Sequence, residues 1–290
     1  MATDQGPVVD SALLRSELVR LRKEKGLTQE QVARTLEWSP SKLIRVEGGK
    51  SSITRTDLQA LLMTYDVTSE SRQERLQTLA RGARETPWWS RYRGLVNDDL
   101  LSLTGYTAGA SIIRQFHGTL VPGLLQIREY AQVLVSDFGD PTAAQMSIEL
   151  RLERQRRLAE RAKPPRQYYL LDEAVIRRHV GVGQDPGIMP MQLRHIVDRV
   201  EGEDQLSVRV IPFKAGYHQG VYGPFVLLEF DGELSDVLHL EGRPGTAATI
   251  TGDDPQIAEY RDIFERMLEA ALPADQTIEL IRQVADELEG

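Results

Sequence analysis

The sequence predicts a multidomain chain, with a small all-α domain built on a helix-turn-helix followed by a larger α+β domain with a small sheet. Three observations carry this prediction. Between Thr28 and Thr54 the same helix-start pattern occurs three times. Beyond about residue 110, strand-like and helical runs alternate without a strict βαβ order. A proline stop and two adjacent tryptophans, Thr86-Pro87-Trp88-Trp89, separate the two regimes. The expected layout is a disordered start over 1–9, a helix-turn-helix domain over 10–68, a connecting helix and Trp-Trp junction over 69–94, and an α+β regulatory and dimerisation domain over 95–290.

The elements follow in order. A helix is expected from Ser11 to Lys25, with Leu14, Leu18 and Leu21 on one face and Gly26 ending it. Thr28 and Gln31 form a capping box with a Leu27/Val32 staple, starting a helix from Gln29 to Leu36. Ser39 is the next N-cap, Pro40 takes the first helical position, Trp38/Leu43 repeat the staple, and Gly48-Gly49 ends the helix after Glu47. The turn between these two helices is so short that they cross steeply. On the second of them, steps of about 100° place Ser41, Lys42 and Arg45 on one face and Leu43 and Ile44 on the packed face. Thr54, Asp57 and an Ile53/Leu58 staple start a further helix, and Ser69–Arg84 reads as a polar connecting helix.

The second region reads as strands over Ser111–Phe116, Arg166–Leu171, Leu206–Ile211, Pro224–Phe230 and Val237–Glu241, with Asp231-Gly232 as a hairpin turn. Helices are expected over Leu124–Val135, Pro141–Ala162, Asp172–Val180, Gln192–Val200, Pro255–Ala271 and Ala274–Leu288.

At 290 residues the chain has room for about two domains and a substantial core. It has no cysteine, which excludes disulfides and thiolate metal sites and suits a cytoplasmic protein; no membrane-spanning run is present. The net charge of −8 is unevenly spread, with ten Lys/Arg against eight Asp/Glu up to Tyr65 and 25 against 35 beyond it. A local positive footprint on an acidic body still steers toward phosphates, and Lys42, Arg45, Lys50 and Arg55 stand against Glu47 alone within Ser39–Arg55.

Residues 11–65 resemble the Cro/xenobiotic-response-element (XRE) family of helix-turn-helix regulators, which implies a lambda-repressor-like domain and double-stranded DNA as partner. The resemblance implies a DNA-binding set of Thr28, Gln29, Ser39, Pro40, Ser41, Lys42, Arg45 and Lys50, with Gln29 on a phosphate and Arg45 facing base edges. It also places Arg22 and Glu47 where that family has a partly buried ion pair. Further on, L-V-P-G-L-L-Q at 120–126, E-Y-A at 129–131, R-L-E-R-Q at 151–155, L-D-E at 171–173, V-I-P-F at 210–213 and G-P-F-V-L-L-E-F at 223–230 follow one another. In that order they resemble the C-terminal domain of actinobacterial WhiJ-like, Scr-type regulators described as antitoxin-like. Thr107 departs from the glutamate expected there. This resemblance implies a small acidic protein encoded nearby as partner, and the chain is expected to bind DNA as a homodimer.

Catalytic patterns fail on inspection. Gly49-Lys50-Ser51 lacks the first glycine of a P-loop, since Ile44 stands in its place, and Gly181-Val182-Gly183 is followed by Pro186 where a dinucleotide fingerprint needs glycine. His117, His179, His195, His218 and His239 show no i, i+4 metal spacing, so no metal, no cofactor and no enzyme activity are expected. Trp88 and Trp89, with Tyr217, His218 and Tyr222 in a glycine-flanked loop, are the candidates for a ligand or partner pocket, against the commoner outcomes of domain stapling and loop packing. The run Arg151, Arg154, Arg156, Arg157 and Arg161 is read as a solvated face paired with Glu149, Glu153 and Glu160, against a second DNA contact or an acidic-partner patch. The expected function is a sequence-specific DNA-binding transcriptional regulator with dimerisation and partner or ligand sensing in its C-terminal domain. The rival reading is an antitoxin-like interaction protein that uses DNA binding for autoregulation.

Overall fold

The computed structural model describes residues 6–49, 51–136, 140–231, 234–242 and 246–289. They divide into two units, one running up to Ser90 and the other from Arg91 onward, with Asp231 and Leu234 counted in the first.

The first unit is helical: α1 (Pro7–Glu24), α2 (Gln29–Thr35), α3 (Pro40–Glu47), α4 (Arg55–Thr64) and α5 (Glu70–Gly82). α1 starts earlier than expected. Pro7 takes its first position behind an uncapped Gly6, and Val9 and Asp10 are already buried, so the disordered start does not extend over Pro7–Val9. No polar cap marks this start, which is why the sequence concealed it. α2 opens on a complete capping box: Gln31 N–H donates to Thr28 Oγ1 at 3.2 Å, and Thr28 N–H donates to Gln31 Oε1 at 2.8 Å. Ser39 occupies the N-cap position of α3, but its hydroxyl meets Ser41 Oγ at 3.2 Å instead of a backbone N–H. Gly49, at φ +71°, supplies the left-handed residue just beyond α3. α5 packs along α1 through Leu76, Leu79 and Ala80. Contact is tight at Gly82, where a Cβ would lie 2.0 Å from Asp10 Oδ2.

The second unit holds α6 (Asp98–Thr107), β1 (Ile112–His117), α7 (Arg128–Val135), α8 (Pro141–Ala159), β2 (Arg166–Asp172), α9 (Glu173–Arg177), α10 (Ile188–Gly202), β3 (Leu206–Ile211), β4 (Phe225–Glu229), β5 (Val237–Leu240), β6 (Ala248–Ile250), α11 (Pro255–Ala270) and α12 (Ala274–Glu287). Its described strands form a mixed sheet of six, in the order β3-β2-β1-β4-β5-β6. β1, β2 and β3 run parallel, while β4 pairs antiparallel with β1, β5 antiparallel with β4, and β6 antiparallel with β5.

Four expectations are corrected here. α6 went unread; Asn97 caps it by accepting from Asp99 N–H at 2.7 Å. β6 is only three residues long and barely buried, too short for an alternation signal. α10 is longer than expected because Pro190 lies in its first turn, where proline is tolerated. The helix expected from Leu124 starts at Arg128, because the preceding carbonyls accept from side chains instead. Gly123 and Gln126 accept from Gln155 at 2.8 and 2.9 Å, Leu124 from Arg199 at 2.7 Å, and Leu125 from Gln192 at 2.8 Å. The hairpin turn expected at Asp231-Gly232 involves Gly232, which lies outside the described residues.

Strand alternation gives the sheet two unlike faces. One carries Phe116, Leu170, Ile211, Phe225, Leu227 and Leu238 into an apolar core with Ile263, Phe264 and Met267 of α11. Across the other, the pairing register aligns Val208, Tyr169, Gln115, Val226, His239 and Thr249 in one row.

Candidate nucleic-acid interface and a buried polar layer

In the first unit the recognition geometry rests on one carboxylate. The Glu47 side chain, 4% exposed, receives Arg22 Nε at 2.7 Å and Arg22 Nη2 at 2.9 Å, a bidentate pair joining α3 to α1. Arg22 Nη1 also donates to Leu27 O at 2.9 Å. Gln29 Nε2 completes the knot on Glu47 Oε2 at 2.7 Å, so its amide ties α2 to α3. Leu43 and Val46 fill the inner face of α3.

The outward face differs from the sequence reading in one residue. Ile44, expected inside, is 52% exposed. The reason is angular: Val46 lies about 60° from Leu43 and takes the packed position, while Ile44 lies about 60° from Ser41 and joins the outer stripe. Ser41 and Arg45 are exposed on the same stripe, and Arg45 makes no side-chain hydrogen bond or ion pair among the described residues. Lys42 is engaged differently. Its Nζ reaches Asp57 Oδ1 at 2.8 Å and sits 3.9 Å over the Trp38 ring, fastening α3 to α4. Thr28, Ser39 and Pro40 stand exposed at the starts of α2 and α3, and Lys50 lies outside the described residues.

The residues offered as pocket candidates do not share one unit. Trp88 and Trp89 pack edge to face at 5.5 Å in a 3-10 turn of the first unit, with Trp89 buried. In the second unit, His218 accepts from Gly220 N–H at Nδ1 (3.2 Å), leaving Nε2 to meet Asp172 Oδ2 at 3.0 Å. This histidine anchors its loop to the end of β2. Tyr217 and Tyr222 are exposed and join through their hydroxyls at 3.3 Å.

A second polar arrangement escaped the sequence reading. Gln115 Nε2 lies 2.7 Å from His117 Nε2 and 3.3 Å from Glu241 Oε1, and His117 Nε2 lies 3.4 Å from the same carboxylate oxygen. His239 Nδ1 contacts Thr249 Oγ1 at 3.0 Å. α8 adds cations. Arg156 and Arg157 pair on its surface with Glu153, and Arg156 also with Glu160, as a solvated face requires. Arg154, however, is only 6% exposed and Arg151 is half-buried, which corrects that expectation for these two residues. They lie three apart on a helix, so one face turns both inward. Burial lowers the Arg154 guanidinium to about 10, still protonated at neutral pH, and lowers Arg151 as well. Burial raises Glu241, but His117, His239 and Arg154 outweigh it and hold the carboxyl below its ordinary range. The signal was present as polar residues at i, i+2 in otherwise apolar strands: Gln115/His117, Gln167/Tyr169 and His239/Glu241.

Among the described residues, no group of three or more His, Asp or Glu is gathered for a metal, and no helix is long and apolar enough to cross a membrane. Residues 100–283 match the family described as Domain of unknown function (DUF5753), which covers more than half of the chain. The chain belongs to that family. Residues 13–76 match a Helix-turn-helix domain, spanning α2, α3 and the Arg22–Glu47 pair. The first unit is therefore a helix-turn-helix DNA-binding module of a regulator, joined to a member of the DUF5753 family. No curated protein and no solved structure matches the chain.

Proposed function

We propose that this chain is an XRE-like, sequence-specific transcriptional regulator that binds double-stranded DNA as a homodimer in the cytoplasm. Its C-terminal, WhiJ-like unit dimerises and senses a partner or ligand, with no catalysis of its own. The observation that carries the reading is the outer stripe of α3: Ser41, Ile44 and Arg45 face solvent while the Arg22–Glu47–Gln29 knot fixes the helix behind them. That is the form a base-reading helix takes, with a rigid back and a front free of internal bonds. Arg45 reads a guanine edge, and Ile44 supplies an apolar contact of the kind that distinguishes a thymine methyl. Half-sites lie about one helical turn apart, roughly 34 Å.

Selection of bound DNA sequences tests this. Arg45→Ala should relax preference at one base position per half-site, at a cost of about 1–3 kcal/mol. Unchanged affinity and preference would exclude Arg45 as the reader. Lys42→Ala should instead loosen α3 through loss of its Asp57 bond, so its effect should reach thermal stability as well as affinity.

A second reading, an antitoxin-like protein holding a small acidic partner, is favoured by one feature. Phe213, Tyr217, Val221 and Tyr222 are all more than half exposed within ten residues, an apolar patch of the kind partners cover. A stoichiometric small protein co-purifying from the native host, and lost on Tyr217→Ser with Tyr222→Ser, would favour this reading over a free dimer.

A further inference from the structure

Two cations in the second unit have N–H groups with nowhere to go. Arg154 Nε and Arg151 Nη1 are shut off from solvent and have no hydrogen-bond partner among the described residues. Gln126 Oε1, on the loop that α8 packs against through Gln155, is a buried acceptor in the same condition. An arginine does not escape burial by losing its proton at neutral pH, and an unpaired buried charge is among the most costly features a fold carries. The described acid within electrostatic reach of both guanidinium groups is Glu241, and that carboxylate is already shared with His117 and Gln115. Among the described residues, one carboxylate thus stands against two guanidinium groups with buried N–H donors.

We propose that the layer between α8 and the sheet holds a small anion, bearing a phosphate or carboxylate group, whose oxygens accept from Arg151 Nη1 and Arg154 Nε while Gln126 Oε1 accepts a donor group of the same molecule. Guanidinium N–H groups shut off from water suit the oxygens of either group, and their desolvation makes each bond stronger than at a surface. Glu241, whose charge reaches both arginines, sets selectivity by competing with the incoming charge. That the bound anion regulates DNA binding rests on the function proposed above; that it binds does not.

The test is calorimetry on the full chain, dialysed into chloride and titrated at constant ionic strength with inorganic phosphate or with succinate. The expected result is a saturable rise of about 2 °C or more in the melting of the second unit with one of the two anions, which also identifies the group recognised. Arg154→Met should melt higher than the parent in chloride, because it removes an unpartnered buried charge, and should show no anion-dependent rise. Arg151→Met is the second variant, with the same loss of response should Arg154→Met fail to fold. Glu241→Gln should respond at lower anion concentration. The proposal is overturned if neither anion acts beyond chloride, meaning that the layer holds water only, or if the rise is the same in both arginine variants, meaning a general salt effect. No DNA is present, so this result and the operator selection fail independently.

Discussion

Glu47 in the first unit and Arg154 in the second are both buried charged groups on an amphipathic helix, yet their surroundings are opposite. Around Glu47 the fold supplies three donors, two from Arg22 and one from Gln29, and leaves the outer stripe of α3 without internal bonds. Glu17 is treated likewise: burial raises its carboxyl, but bonds from Arg20 and Arg72 outweigh this and hold it below the ordinary range. Around Arg154 Nε and Arg151 Nη1 no such closure exists among the described residues, and these donors are on the inside. A scaffold that satisfies its own buried charges presents its function on its surface. On the proposal above, the second unit's incomplete charges are completed by a bound anion.

The contrast is sharpened by variants, each with a convenient readout. Trp38, Trp88 and Trp89 all lie in the first unit, so tryptophan fluorescence reports on that unit. The largest effect is expected from Glu47→Ala, which strands Arg22 and Gln29 and should cost about 3 kcal/mol in denaturant unfolding monitored by fluorescence. A loss below about 1 kcal/mol would mean that the knot does not organise the unit. Gly82→Ala should cost about 1–3 kcal/mol by forcing α5 off Asp10 of α1, with the Helix-turn-helix match itself untouched because it ends before Gly82.

Next comes the acid limb of the second unit. Burial lowers His239 and, with Arg199, His195, so both are neutral in the folded state at pH values where the unfolded chain protonates them near 6.5. Their folded pKa values being depressed, the stability they contribute is present above pH 6.5 and is lost as pH falls through the folded values; Glu241 adds a loss of the same sign at lower pH. Calorimetry from pH 8 downward should show this decline, and His239→Gln should flatten its first part. The smallest effect belongs to Arg156→Ala. That side chain pairs only on the surface with Glu153 and Glu160, and its removal should leave melting unchanged, in contrast to its neighbour Arg154.

Local chemistry was legible in the sequence because it acts over three or four residues. The capping box at Thr28, the proline at position one of α3 and the starts of α4 and α8 all follow from neighbours along the chain. So does Arg45 on the outer stripe, which needs only the helical period. Ile44 was misplaced because two adjacent apolar residues on a short helix leave the packed face ambiguous by one 100° step, and the competing Val46 decided it. The start of α7 was misplaced because donors for its preceding carbonyls come from Gln155, Gln192 and Arg199, up to 75 residues distant.

The sequence by itself determined that this chain carries a capped helix-turn-helix ahead of an α+β unit, and which face of α3 bears Ser41 and Arg45. Those properties depend on helical geometry and on hydrogen bonds that close within one turn. Only the tertiary structure decided which charges are buried. Arg151, Arg154, Arg156 and Arg157 are one basic run in the chain, and what separates an interior cation from a solvated one is the sheet lying against α8, a contact between segments far apart in sequence.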